Sequence, residues 1–109
     1  MTDLAALSNE TVWQQFKLDH PADGLIDVTG FPVELAVVEL GSSPTEADWF
    51  TAAWEPAADS AGYYLAHLEV GPGAGTVELV AGTTYQPWLR LTLATETPVV
   101  RGVDEITVY

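Results

Sequence analysis

The stretch Leu79-Val80-Ala81-Gly82-Thr83-Thr84-Tyr85-Gln86-Pro87-Trp88-Leu89-Arg90-Leu91-Thr92-Leu93 alternates from Thr83 onward. Tyr85, Leu89, Leu91 and Leu93 fall on one side, and Thr84, Gln86, Trp88, Arg90 and Thr92 on the other. Successive side chains of a strand point to opposite faces, so this period of two predicts a strand with one buried face. The run opens with Leu79, Gly82 and Tyr85 in the pattern L-x-x-G-x-x-Y. A tyrosine entering a strand after such a turn can bury its ring, and a buried phenol needs a partner for its hydroxyl, which the preceding backbone can supply. The spacing predicts a crossover between two sheets pinned at Tyr85. The plainer alternative is an ordinary turn followed by an edge strand.

Working outward, Thr11 to Leu18 is a strand with Phe16 and Leu18 in phase and Gln15 and Lys17 opposite. His20-Pro21-Ala22-Asp23-Gly24 has turn composition. Leu25 to Val28 is a short strand stopped by Thr29-Gly30. Phe31 to Leu40 alternates, with Phe31, Val33, Leu35 and Val37 inward and Glu34 and Ala36 outward; Pro32 suits the start of a strand. Ser43-Pro44-Thr45-Glu46 reads as a helix start, with Ser43 capping, Pro44 in the first position and Glu46 closing a capping box. That gives a single helical turn across the end of the sandwich. Trp49 to Glu55 is extended, Pro56 to Ala61 a loop, and Gly62 to Val70 a strand with Tyr64, Ala66, Leu68 and Val70 on one face. After the loop Gly71 to Gly75, Thr76 to Val80 runs into the tyrosine turn. Val99 to Tyr109 is a last strand whose alternation slips by one near Gly102-Val103-Asp104, as a bulge would produce. About seven strands at roughly 8–12-residue spacing predict an all-β antiparallel sandwich with one short helical turn. Residues 11–109 form that single domain. Residues 1–10, with Leu4 and Leu7 in a short apolar patch, are a helical turn or an arm that orders only against a neighbour, since so short a helix is not stable alone.

Three basic against sixteen acidic residues give a net charge of −13. Phosphate backbones are bound by neutralising them with Lys and Arg, so nucleic acid is excluded as a direct partner, and anionic membrane surfaces are disfavoured likewise. No cysteine is present, so no disulfide framework holds the fold. Met1-Thr2-Asp3-Leu4 lacks the basic start and apolar run of a secretory signal, and no stretch has the length of a membrane span. The expectation is synthesis and folding in a cytoplasm.

Catalytic and cofactor chemistry find no foothold. His20 and His67 are the only histidines and lie on different predicted elements, which argues against zinc. Asp19, Asp23 and Asp27 lack the closely alternating oxygens and closing acid of a calcium loop. No serine stands in G-x-S-x-G. Gly71-Pro72-Gly73-Ala74-Gly75 is followed by a run too short and β-branched for the helix a dinucleotide loop requires. The expectation is a non-enzyme with no cofactor and no metal.

The aromatic residues carry most interest, because Trp13, Trp49, Trp54 and Trp88 are many for this length. Trp88 is out of phase with Leu89 and Leu91 and should leave the core face beside Arg90. Exposed aromatics stack on sugars or anchor protein interfaces. Trp88, Arg90, Trp49, Trp54, Leu4 and Leu7 are therefore the candidate interface residues. The alternative is that Trp88 covers the outer face of its sheet while Trp49 and Trp54 plug the sandwich end.

Two resemblances follow from these residues. Leu79, Gly82 and Tyr85 resemble the tyrosine corner of immunoglobulin-like and fibronectin type III domains. More widely, the chain carries an ordered series of phrases: Trp13 with Asp19, Gly24-Leu25-Ile26-Asp27-Val28-Thr29-Gly30-Phe31-Pro32-Val33-Glu34-Leu35-Ala36, Asp48-Trp49 with Ala53-Trp54, Gly71-Pro72-Gly73, Gly82 to Leu91, and Pro98-Val99-Val100-Arg101. This order resembles small immunoglobulin-like virion proteins of tailed bacteriophages that infect actinobacteria. The resemblance begins at Trp13, covers most of the chain and does not include the first ten residues. It implies a structural role in the virion after synthesis in the host: decoration of the capsid as a minor head protein bound to the major capsid protein or other virion proteins, or a place in the tail or head-to-tail connector. It also implies symmetric assembly, homo-oligomers included, and no catalytic residues. A carbohydrate- or cell-surface-binding module on the same fold is the competing class.

Overall fold

A computed structural model describes residues 9–16, 28–56, 63–71, 73–93, 97–102 and 105–108 together with the backbone of three short strands, Thr2–Leu4, Asp19–His20 and Gly24–Leu25. The chain is an all-β sandwich of two packed, mainly antiparallel sheets. Its strands in order are β1 (Thr2–Leu4), β2 (Glu10–Phe16), β3 (Asp19–His20), β4 (Gly24–Leu25), β5 (Val33–Glu39), β6 (Phe50–Thr51), β7 (Ala53–Trp54), β8 (Tyr64–Val70), β9 (Thr84–Leu91), β10 (Val99–Arg101) and β11 (Ile106–Val108). The larger sheet runs β1-β11-β9-β5-β6 with β10 also on β9; the smaller runs β2-β8-β7; β3 and β4 form a separate hairpin. Every pairing is antiparallel except β1 with β11, which is parallel.

β9 is the centre of the larger sheet, and its alternation is complete: Tyr85, Pro87, Leu89 and Leu91 are buried, and Thr84, Gln86, Trp88 and Arg90 are half-buried on the other face. Its inward residues meet Val33, Leu35 and Val37 of β5, Val12 and Phe16 of β2, Ala66, Leu68 and Val70 of β8, and Ile106 and Val108 of β11 in one core. Each Leu or Ile buried there contributes about 1.5–3 kcal/mol, enough to fix the register of every strand it sits on.

The tyrosine corner is present. Tyr85 is buried and its hydroxyl accepts the Val80 N–H at 3.0 Å. The turn before it closes with Thr83 N–H donating to the Val80 carbonyl, and Gly82 N–H donates to Val108 across the sheet. Gly82 has φ of +84° in the third position of that turn, which is the type II geometry that favours glycine. Leu79 beside it is buried.

Several local expectations are corrected. The helical turn is a 3₁₀ turn over Glu46–Asp48, and its cap is Thr45 with Asp48 rather than Ser43 with Glu46. The Thr45 backbone N–H and hydroxyl both donate to Asp48 Oδ2, at 2.7 and 3.0 Å. Pro44 thus stands before the cap, and Glu46 is released for the partner described below. The extended run from Trp49 is split: Phe50–Thr51 pairs with β5 in one sheet and Ala53–Trp54 with β8 in the other, so the chain changes sheet at Ala52, whose N–H donates to Val33. Ala36, expected outward, does face away from the core but is completely buried. Thr2–Leu4, expected as a helical turn or an arm, is a parallel edge strand on β11. Edge pairing supplies the backbone partners that one isolated turn of helix lacks. Leu4 backbone pairs with Val108, and Leu7 lies outside the described residues, as do Asp23 and Asp27.

The expected slip in alternation is corrected: Gly102, Ile106 and Val108 are all buried, so the inward phase is kept, and the irregularity is two extra residues in the pairing. Arg101 lies opposite Trp88 and Ile106 opposite Tyr85, so five residues of one strand advance against three of the other. Pro87 gives the reason. In an antiparallel strand a residue's N–H and C=O point to the same neighbour. The Pro87 carbonyl accepts Gly102 N–H at 2.8 Å, so its missing N–H would face the same strand. The ladder is broken where Pro87 has no donor to offer, and the Gln86 side-chain amide takes up the Gly102 carbonyl at 2.8 Å.

Candidate functional site

The predicted aromatic residues are distributed over two different surfaces. Arg90 organises the first. It projects from β9 onto the outer face of the larger sheet, where its side chain is 17 % exposed. Its Nε and Nη2 both donate to Glu34 Oε1, at 3.0 and 2.9 Å, and its Nη1 donates to Glu46 Oε1 at 2.7 Å. The guanidinium also stands 4.7 Å from the Trp49 ring centre, in cation–π contact. Strand pairing accounts for Glu34, which lies directly opposite Arg90 on β5, while the 3₁₀ turn delivers Glu46 and then Trp49. Hydrogen bonding to Glu46, and then to Glu34, raises the guanidinium above its ordinary range, so it stays charged throughout the working pH range. The stability linked to it would be lost only as pH rose past that range.

Trp88 lies on the same face, opposite Ala36 on β5 and Arg101 on β10. It is half-buried and its indole nitrogen is enclosed, with no acceptor among the described residues. Trp88 is thus only partly open to solvent. Trp54 faces the core end. Its indole N–H donates to the Phe31 carbonyl at 3.0 Å and its ring packs on Phe16 and Tyr64 at 6.4 Å each. These bonds tie the sheet-switching segment to the turn before β5.

Among the described residues, the exposed aromatic side chain is Trp13, at 49 %. It sits mid-way along β2 on the outer face of the smaller sheet, between exposed Thr11 and Gln15. His67 is its cross-strand partner on β8, with the rings edge to face at 4.9 Å. His67 Nδ1 approaches Glu55 Oε1 to 3.2 Å without the alignment of a hydrogen bond. Glu69, next on the same face, is exposed opposite Thr11. Alternation along β2 carries the signal for Trp13, which is absent from the candidate interface: Val12, Gln14 and Phe16 turn inward, which puts Trp13 outward.

Among the described residues no three His, Asp or Glu side chains converge as metal ligands. Gly73 in the glycine-rich loop donates its N–H to Asn9 Oδ1 at 2.8 Å, closing that loop onto the start of β2. Comparison with known family models, with curated proteins and with solved structures gives no match.

Proposed function

We propose that this chain is a structural protein of a tailed-phage virion, bound to the head shell as a decoration or minor capsid protein and acting through protein–protein contacts. The observation that carries the reading is the ordered series of phrases between Trp13 and Arg101 that resembles such proteins. The chemistry of the surface supports it. The polar groups that sequence marked out are spent on structure: Arg90 on Glu34 and Glu46, Tyr85 on Val80, Trp54 on Phe31. A surface of net charge −13 suits an outer position, soluble at high local density and away from packaged nucleic acid. A tail or connector position fits the same features.

The test is quantitative mass spectrometry of purified particles of the encoding phage, counting this chain against the major capsid protein. A ratio near unity, or a simple fraction of it, is expected for decoration repeating with the shell lattice. Far fewer copies would move the chain to the connector or tail, and absence would overturn the virion role. One observation favours a second reading, a glycan-binding module: the exposed ring of Trp13 on a sheet face. Titration of tryptophan fluorescence with host cell-wall glycans checks it, and saturable quenching lost in Trp13→Ala is the result it requires.

A further inference from the structure

We infer that the free edge of β2 receives an extended, basic segment of a partner protein by strand addition, with Trp13 as the anchor. This inference rests on the protein-contact role proposed above and gives that contact a place and a chemistry. β2 pairs with β8 along its whole length, from Glu10–Val70 to Phe16–Tyr64, and is the outermost strand of its sheet. Among the described residues no strand pairs with its other side. An edge strand presents a row of backbone donors and acceptors, and proteins blunt such edges with proline, lysine, a bulge or an inward charge. Glu10-Thr11-Val12-Trp13-Gln14-Gln15-Phe16 has none of these, and its one charge stands at the end. The other outer strands are shorter: β6 and β7 have two residues each, and β1 and β10 three.

Charge decides the occupant. The outer face of β2 shows Thr11, Trp13 and Gln15, and the next row carries Glu69 opposite Thr11 and His67, beside Glu55, opposite Trp13. Glu69 lies diagonally across the strand pair from the exposed indole, and a lysine or arginine can lay its stem on that ring with its charge toward this acid. A second copy of the chain would instead bring −13 against −13. In strand addition the main chain supplies affinity and alternate side chains supply selection. An added strand with Lys or Arg at alternate positions sets one of them over Trp13.

The experiment uses the full chain and two synthetic probes, a short peptide of alternating Lys and Val and a peptide of equal charge with its central Val replaced by Pro. The alternating peptide is expected to slow hydrogen exchange at outward-facing amides within residues 10–16 and to shift tryptophan fluorescence. The proline peptide, lacking donors at its centre, should bind far more weakly. Trp13→Ala and Glu69→Lys alter exposed side chains, so both should keep the wild-type circular dichroism while weakening binding about three- to thirtyfold. Equal binding of both peptides, or protection away from β2, would mean diffuse charge attraction and overturn the site. Protection of 10–16 that grows with protein concentration before any peptide is added would assign the edge to a second copy, also overturning it. Failure here with the chain still counted in particles removes the edge site alone. Absence from particles with peptide protection intact removes the virion role alone.

Discussion

Tyr85 is the residue on which two sheets agree. Its hydroxyl gives the Val80 N–H a partner at 3.0 Å, and Tyr85→Phe should cost about 1–2 kcal/mol by leaving that donor unpaired. Urea unfolding checks this: the midpoint should fall while the m-value stays constant. Gly102 is constrained for a different reason. Its φ is not in the left-handed region, yet a Cβ there would come within 2.9 Å of both the Pro87 carbonyl oxygen and its ring, and nearer still to Gln14 Oε1. Gly102→Ala should destabilise by about 1–3 kcal/mol through overpacking. Adding Gln14→Ala should recover only part of it, because the Gln14 side chain can be removed and the Pro87 backbone cannot. The L-x-x-G-x-x-Y spacing made Tyr85 legible in sequence, since it is a local pattern. The demand at Gly102 was not legible: the atoms that crowd it come from β2 and β9, far away in the chain.

Elements joined by Arg90 show how one cation can hold three segments. Arg90→Met should cost about 1.5–3 kcal/mol, the range for hydrogen bonds to charged groups. Double-mutant cycles should find stronger coupling to Glu34, 29 % exposed, than to Glu46, 85 % exposed, because water already satisfies the exposed carboxylate. Equal couplings would mean that the 3₁₀ turn is held as firmly as the strand. The type of nearly every long strand was readable from alternation, β9 most plainly. Short elements were not. The Ser43-x-x-Glu46 and Thr45-x-x-Asp48 spacings are equivalent as capping patterns, and the choice between them falls to Arg90, which takes Glu46. Likewise the segment from Trp49 to Glu55 reads as one strand, because a change of sheet at Ala52 depends on where β5 and β8 lie.

Across the molecule as a whole, sixteen acids face three bases. Such an imbalance repels itself in the folded state, and screening shortens the reach of that repulsion to about 8–10 Å at moderate salt. Tm should therefore rise as salt is added, and a fall would show that the Arg90 cluster outweighs the surplus charge. Differential scanning calorimetry across a salt series decides it.

Sequence alone determined the class of fold, the central strand with its buried face, the tyrosine turn and the acidic surface. Each depends on spacing or composition within one stretch of chain. Only the tertiary structure decided which tryptophan is exposed. Trp88 and Trp13 both lie out of phase with a buried row, so alternation treats them alike. The difference is what lies over each sheet. The outer face of the larger sheet is crowded by the 3₁₀ turn, Trp49 and Arg90 beside a buried Ala36. The outer face of the smaller sheet leaves Trp13 beside His67 half open to solvent. Burial on an outer face is set by distant segments that fold across it, and no local pattern carries that information.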